Sequence, residues 1–175
     1  MKSIHLILYA SILFGVGCHA ISPTTEVDDV APIATEVVTD MQQVTIHAAE
    51  IAKNHGDYDE ALKMFKEVLW QNPVATDALV GIGDICLIKK EWERAEPVFA
   101  RAIKLEPRNF DAQFGYGVSL QMLKKYIDAV RAYHRALTIH PENVGANTNI
   151  ATTYLQMGRP QSALVFAERA VEIDG

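Results

Sequence analysis

Beyond residue 40 the apolar positions of this chain fall in short helical stripes, each closed by a polar turn or a proline, and the stripes come in pairs. The pairing has a fixed period. Ala61, Ala95, Ala129 and Ala163 stand 34 residues apart, Pro73, Pro107 and Pro141 keep the same step, and Gly175 holds the fourth proline's place. The residues around each alanine recur too, as Asp57 to Leu62, Glu91 to Ala95, Lys125 to Val130 and Arg159 to Leu164. A unit of this length with two apolar stripes predicts two antiparallel helices joined by a tight turn, four times in tandem. Each phased proline ends the second helix of its unit, because it has no N–H to donate and pushes the preceding residue out of the α region. Pro97 is out of phase, about one turn into the second helix of the second unit. There it costs about one backbone hydrogen bond with little distortion. Upstream, Ile33, Val37, Met41, Val44 and Ala48 follow Pro32 at spacings of 4, 4, 3 and 4, so the first helix can begin early. A second start is open at Asp40, an N-cap with Gln43 as its capping-box partner.

With units beginning at Gln42, Thr76, Phe110 and Val144, position 8 holds Ala49, Gly83, Gly117 and Ala151, and position 27 holds Val68, Ala102, Ala136 and Ala170. Position 17 holds Tyr58, Trp92, Tyr126 and Pro160; position 24 holds Phe65, Phe99, Tyr133 and Ala167. This pattern resembles the tetratricopeptide-repeat family, whose consensus has small residues at positions 8, 20 and 27, aromatics at 17 and 24, and proline at 32. The likeness covers 134 of the 175 residues; it departs at Val68 and in the fourth unit, which lacks both rings and offers Tyr154 at position 11. Small residues let two helix axes approach closely, and a ring fills the gap to the next hairpin. The resemblance implies an all-α fold, a right-handed α-solenoid of four helix-turn-helix repeats at 42–75, 76–109, 110–143 and 144–175.

Composition changes the picture chiefly at the N-terminus, since a chain 49% hydrophobic and 22% charged is ordinary for one compact domain. Lys2, the mainly apolar stretch Ile4 to Val16 and the small residues Gly15 and Gly17 have the layout of a secretory signal over residues 1–17. The run is shorter than the roughly 20 residues a membrane span needs, although an uncleaved anchor reaching Ile21 stays open. Two cleavage patterns follow. Gly15-Val16-Gly17-Cys18 resembles a bacterial lipobox, with Gly15 where such lipoproteins usually carry Leu, and makes Cys18 the acylated N-terminus. Cys18-His19-Ala20 also fits a signal-peptidase site, which removes Cys18 and frees the chain. By resemblance to such lipoproteins, His19 rather than Asp after the cysteine implies the outer membrane or periplasm in the first case; the second implies secretion.

Residues 18–41 read as an acidic linker, flexible to about Ala31 and with a helical option from residue 33. They carry −5 and residues 42–175 carry −2, which with Lys2 makes the chain's net −6. That balance argues against a nucleic-acid surface, which needs clustered Lys and Arg. With only Cys18 and Cys86 present, no structural disulfide is expected.

Chemistry-bearing patterns are sparse, which points away from an enzyme and from any cofactor. There is no phosphate loop, nucleophile motif or pair of histidines at ligand spacing on one helix. His47 and His55 lie eight residues apart on one helix, and two turns separate such side chains by about 12 Å, too far for one ion. They read, like His134 and His140, as exposed polar residues. Cys86 falls at a core position with no evident cationic cluster to lower its pKa, so it reads as a buried thiol.

A functional surface is therefore geometric. By resemblance to the family, the concave groove of such a solenoid is lined by the first helix of each repeat, which selects Ile46, Glu50, Asp77, Val80, Asp84, Leu87, Asp111, Phe114, Val118, Gln121, Met122 and Thr152 as partner-binding residues. Val80, Phe114, Val118 and Met122 form an apolar stripe; packing between adjacent helices is the alternative use for part of it. Glu50, Asp77, Asp84 and Asp111 give the same face a negative border, which favours a protein or peptide with apolar anchors and some Lys or Arg. Relatives that clamp the carboxylate of chaperone tails use Lys and Asn where this chain has Ile46, Glu50, Gly81, Asp111 and Gly115, so no such clamp is expected.

The expected function is an exported protein-interaction scaffold, tethered through Cys18; leader plus repeats look like the repeat lipoproteins that assist pilus and secretion machines. The alternative is the docking or regulatory region of a longer enzyme or secretion component. Gly175 falls in the last turn of the fourth unit with no polar capping helix after it. The period is thus expected to continue, or the apolar face Leu164, Ala167 and Val171 to self-associate.

Overall fold

The protein is described from a computed structural model, which covers the backbone of residues 31–175 and the side chains from Asp40 onward; the leader, Cys18 and the linker to residue 30 lie outside the described residues. Among the described residues there are eight helices and no strands. They pair as α1 (Ala31–His55) with α2 (Tyr58–Gln71), α3 (Thr76–Ile88) with α4 (Trp92–Leu105), α5 (Phe110–Met122) with α6 (Tyr126–Ile139), and α7 (Val144–Gln156) with α8 (Pro160–Asp174). Helices α3, α5 and α7 begin 34 residues apart, and α2, α4 and α6 each stop two residues before the phased proline, where the chain must leave the α region. Asn109 and Asn143 cap α5 and α7, accepting hydrogen bonds from the amides of Ala112 at 2.9 Å and Ala146 at 2.8 Å. Helix α4 runs through Pro97, whose side is exposed. Helix α1 already includes residues 31–41, so of the two expected starts the early one is present and Asp40 is an interior residue instead of an N-cap. Pro32 is compatible with that start because a first-turn residue has no intrahelical partner for an N–H.

The core is laid down junction by junction. Ala61, Phe65 and Val68 of α2 pack with Ile46 and Ala49 of α1 and, from the next hairpin, with Ala78 and Ile85 of α3. The rings at position 24 set the spacing: a Cβ added at Gly81 would lie 2.2 Å from Phe65, and one added at Gly115 would lie 2.3 Å from Phe99. Only glycine lets those backbones come so close. In the fourth repeat, where that ring is absent, Phe166 one residue earlier stacks on Tyr154 at 5.8 Å and meets the edge of His134 at 5.3 Å.

The turn inside each hairpin demands a left-handed residue at position 15. Gly56 and Gly158 supply it at φ 88° and 70°, but Lys90 and Lys124 are held there at φ 60°. A side chain in this region costs about 1–2 kcal/mol, and glycine gives back part of that in unfolded-state entropy. Lys90→Gly and Lys124→Gly are each expected to stabilise the protein by about 0.5–1 kcal/mol, read as a higher urea midpoint.

Candidate partner-binding groove

The backbones of α1, α3, α5 and α7 approach closely in succession, whereas among the described residues those of α2, α4, α6 and α8 stay apart, α6 and α8 meeting only through the rings of His134 and Phe166. The closely spaced set is the inner wall of a curved stack, and the splayed set is the outer wall. A cleft of about 390 Å³ opens on the inner wall between the first three repeats. Ile46, Glu50 and Lys53 reach it from α1, Val80 with Asp77 and Asp84 from α3, and Asn109 with Asp111 from the start of α5.

The sequence pattern places four carboxylates along this cleft, and the structure adds one counter-charge. Lys53 Nζ donates to Glu50 Oε2 at 2.7 Å and to Asp84 Oδ2 at 3.0 Å, tying the first repeat to the second with only 11% of its side chain exposed. Burial works against the Lys53 ammonium, but hydrogen bonds and attraction from Glu50 and Asp84 prevail, and its pKa lies above the usual lysine range. Burial also pushes the Asp84 carboxyl up; Lys53 opposes the shift, while Glu50 and Asp111 add to it. Both members of the ion pair are thus drawn toward their protonated forms, as befits a site where carboxylates outnumber cations. Asp77 follows the same rule, raised by burial and then by Glu106, Asp111 and Glu50.

The rest of the inner wall is apolar but partly committed. Val80, Leu87, Phe114 and Val118 are half-buried against the junctions between repeats, and Val80 also lines the cleft. Phe114 stacks on Phe110 at 5.7 Å and leans on Tyr133 at 5.8 Å. Met122 and, from α7, Leu155 are exposed. Gln121 is an internal strut: its Oε1 accepts from the Tyr133 hydroxyl at 2.8 Å and its Nε2 donates to Gln156 at 3.1 Å. Thr152 is exposed on α7, its hydroxyl donating to Thr148 O at 2.9 Å. Thus Ile46, Glu50, Asp77, Val80, Asp84 and Asp111 meet in one cleft, while Phe114, Val118, Gln121 and Met122 of α5 and Thr152 of α7 are not among the residues that line it.

Two further members, Lys53 and Asn109, line the cleft without having been counted among the partner-binding residues. Lys53 stands at repeat position 12, one of the groove positions that the family resemblance implies, and follows Glu50 by three residues on one helix, a spacing at which the two can pair. Elsewhere, Cys86 is buried with its thiol pushed up by burial. His140 is exposed but lays its ring edge against Phe110 at 4.9 Å. Among the described residues no group of three His, Cys, Asp or Glu side chains is placed to hold a metal ion.

Profiles described as tetratricopeptide repeat match residues 48–102, 89–144 and 120–175, most of the chain. The chain belongs to the tetratricopeptide-repeat family. Its solenoid is similar to that of MamA from strain AMB-1, at 25% identity and a TM-score of 0.65 over 76% of this chain and 73% of that one. It is also similar to MamA residues 41 to the end from Desulfovibrio magneticus RS-1, at 19% identity and a TM-score of 0.69 over 76% and 75% of the two chains. A third MamA crystal structure superposes with a TM-score of 0.70 at 18% identity over 81% and 83%. These likenesses show the right-handed α-solenoid. No curated protein sequence matches significantly. As a tetratricopeptide-repeat protein the chain is a protein–protein interaction scaffold, and scaffolds of this kind are in general not catalysts.

Proposed function

We propose that the inner groove holds a segment of a partner protein whose apolar side chains lie along Val80, Phe114, Val118 and Met122 and whose Lys or Arg residues enter the acidic cleft. The observation that carries this reading is the cleft itself, where Glu50, Asp77, Asp84 and Asp111 face a single cation, Lys53, that Glu50 and Asp84 already occupy. A basic partner gains attraction there and an acidic one is repelled, so the charge selects while the apolar wall supplies area. A fluorescein-labelled peptide alternating Leu and Lys should bind, and its Glu-for-Lys counterpart should not. Equal binding of the two would overturn the reading.

Acid should weaken this binding earlier than ordinary carboxylates would suggest. Asp77 and Asp84 have raised pKa values, so they attract a cation fully only above those values, and affinity falls as pH drops through them. Stability has the opposite sign. Between the unfolded carboxylate pKa and the raised values the folded state binds more protons at these two sites, so their part in stability grows as pH falls. A parallel series of peptide titrations and urea melts across mildly acidic pH checks both slopes.

The location we propose is the bacterial envelope, with the mature chain held through an acylated Cys18 as an adaptor within an assembly of other proteins. Support comes from the signal-like leader and the Gly15-Val16-Gly17-Cys18 pattern. Intact-mass analysis of the mature N-terminus decides it: a diacyl or triacyl Cys18 supports the tether, and a free Ile21 refutes it.

A further inference from the structure

We infer that the edge formed by the turns inside the second, third and fourth hairpins rests on an anionic lipid surface, its cations meeting headgroup phosphates and its isoleucines entering the headgroup layer. The inference stands apart from what the groove holds and from whether Cys18 is acylated. Helices α1, α3, α5 and α7 are stacked side by side, so the turns that follow them lie in a row along one edge. Residues 31–39 open α1 at the opposite edge. Along the row two kinds of lysine stand next to each other. Lys89 donates to Asp59 at 2.7 Å and Lys125 to Glu96 at 2.7 Å, so each ties its hairpin to the one before. Lys90 and Lys124 are exposed and have no carboxylate partner among the described residues. They are also the residues held in the left-handed region at φ 60°. Glycine relieves that conformation, and Asn and Asp tolerate it better than other side chains, so the turn itself gives no reason for lysine. A charge directed outward does.

Apolar side chains stand beside these cations. Ile88, two residues before Lys90, is 49% exposed, and Ile127, three residues after Lys124, is 59% exposed. Between the third and fourth turns a cavity of about 440 Å³ has Lys124 and Arg159 among its cations and Ile127 and Met157 among its apolar walls. Arg159 is exposed and, like Lys124, has no carboxylate partner among the described residues. Asp128 also lines the cavity, but Arg131 holds it at 3.1 Å. Among the described residues of these three turns Glu93 is the one carboxylate without a cationic partner. The first turn departs from the others, with Gly56 in place of lysine and Asp57, Asp59 and Glu60 after it, so the surface begins at the second hairpin. A headgroup layer suits this edge better than an acidic protein segment. Cations and isoleucines alternate on protruding turns, and a bilayer surface yields around such tips where a protein would need a matching relief. The chain's net −6 does not oppose the contact, because exposed charges beyond about 8–10 Å are largely screened at physiological salt.

Lysine acetylation read by mass spectrometry tests this on the full chain, with vesicles of phosphatidylcholine alone and of equal parts phosphatidylcholine and phosphatidylglycerol. Lys90 and Lys124 should be protected on the anionic vesicles only, while Lys104, exposed in the last turn of α4 at the opposite edge, should react equally on both. A leader that enters both kinds of vesicle alike does not produce that difference. The partition ratio between anionic and neutral vesicles, measured by cosedimentation, should fall about 25-fold in Lys90→Gly with Lys124→Gly, since each cation near an anionic surface contributes about fivefold. Both changes relieve backbone strain and are expected to stabilise the fold, so the loss does not report unfolding. Lys90→Arg with Lys124→Arg should keep the ratio, and Ile88→Ser with Ile127→Ser should weaken binding without changing its slope against salt. Equal acetylation of Lys90 and Lys124 on the two kinds of vesicle, or a ratio that the glycine pair leaves unchanged, would overturn the inference. So would protection of both lysines by soluble polyglutamate with none from the anionic vesicles, which would assign the edge to an acidic protein.

Discussion

Phe99→Ala is expected to lower the free energy of unfolding by about 3–5 kcal/mol, the range for removing a large aromatic from a packed core. The ring is fully buried and does two jobs at once. It lies against Gly83 of its own hairpin, where an added Cβ would come within 2.6 Å, and against Gly115 of the next, where the figure is 2.3 Å. Because a solenoid's stability is close to a sum of repeat terms and nearest-neighbour interface terms, losing this ring weakens the junction between the second and third repeats as well as the second repeat itself. Urea unfolding should show a lower midpoint and a broader or two-step transition. Gly115→Ala supplies a control whose sign depends on its surroundings. In the wild type the new methyl meets Phe99 and should destabilise by about 1–3 kcal/mol. In the Phe99→Ala background that ring is gone, and the same change should be neutral or stabilising by up to about 1 kcal/mol through helix propensity. A Gly115→Ala penalty that persists without the ring would show that the junction is not built around it.

Reversing the groove's charge should abolish its preference for basic partners. Asp77→Lys with Asp111→Lys changes two exposed carboxylates on the border of the cleft, so the fold should persist. Each reversal replaces an attraction with a repulsion of similar size; a loss of about 1.4 kcal/mol per site is a tenfold change in affinity. The Leu–Lys peptide should therefore bind at least about tenfold more weakly, and the Leu–Glu peptide should gain. The effect on the basic peptide should fall mainly on its association rate and should shrink as salt is added, since exposed charges steer encounter and are screened. An unchanged affinity for both peptides would place binding elsewhere on the molecule.

The helical plan was legible because it is periodic. One alanine and one proline every 34 residues mark where helices touch and stop, and the hairpins begin at Thr76, Phe110 and Val144 as that period requires. The acidic residues of the groove were equally legible, since position along the repeat determines which wall a side chain reaches. Less so was the apolar stripe. Val80, Phe114 and Val118 pack in the junctions between repeats, and how much of each is left to the groove depends on helix spacing, which no local pattern carries. Lys53 illustrates the same limit: its pairing with Glu50 is local, but its reach to Asp84 spans 31 residues and two hairpins. The substitution of Phe166 for the missing position-24 ring likewise depends on Tyr154 and His134 being in place to receive it.

Site-specific photocrosslinking tests the central claim most directly. A benzophenone side chain introduced at Val118, on the inner wall, and in a second protein at Thr138, exposed on α6, would be irradiated with the labelled Leu–Lys peptide. Val118 should yield a covalent adduct that Asp77→Lys with Asp111→Lys removes, and Thr138 should yield none. An adduct at Thr138 alone, or one at Val118 indifferent to the charge reversal, would contradict a groove that selects its partner by its acidic cleft.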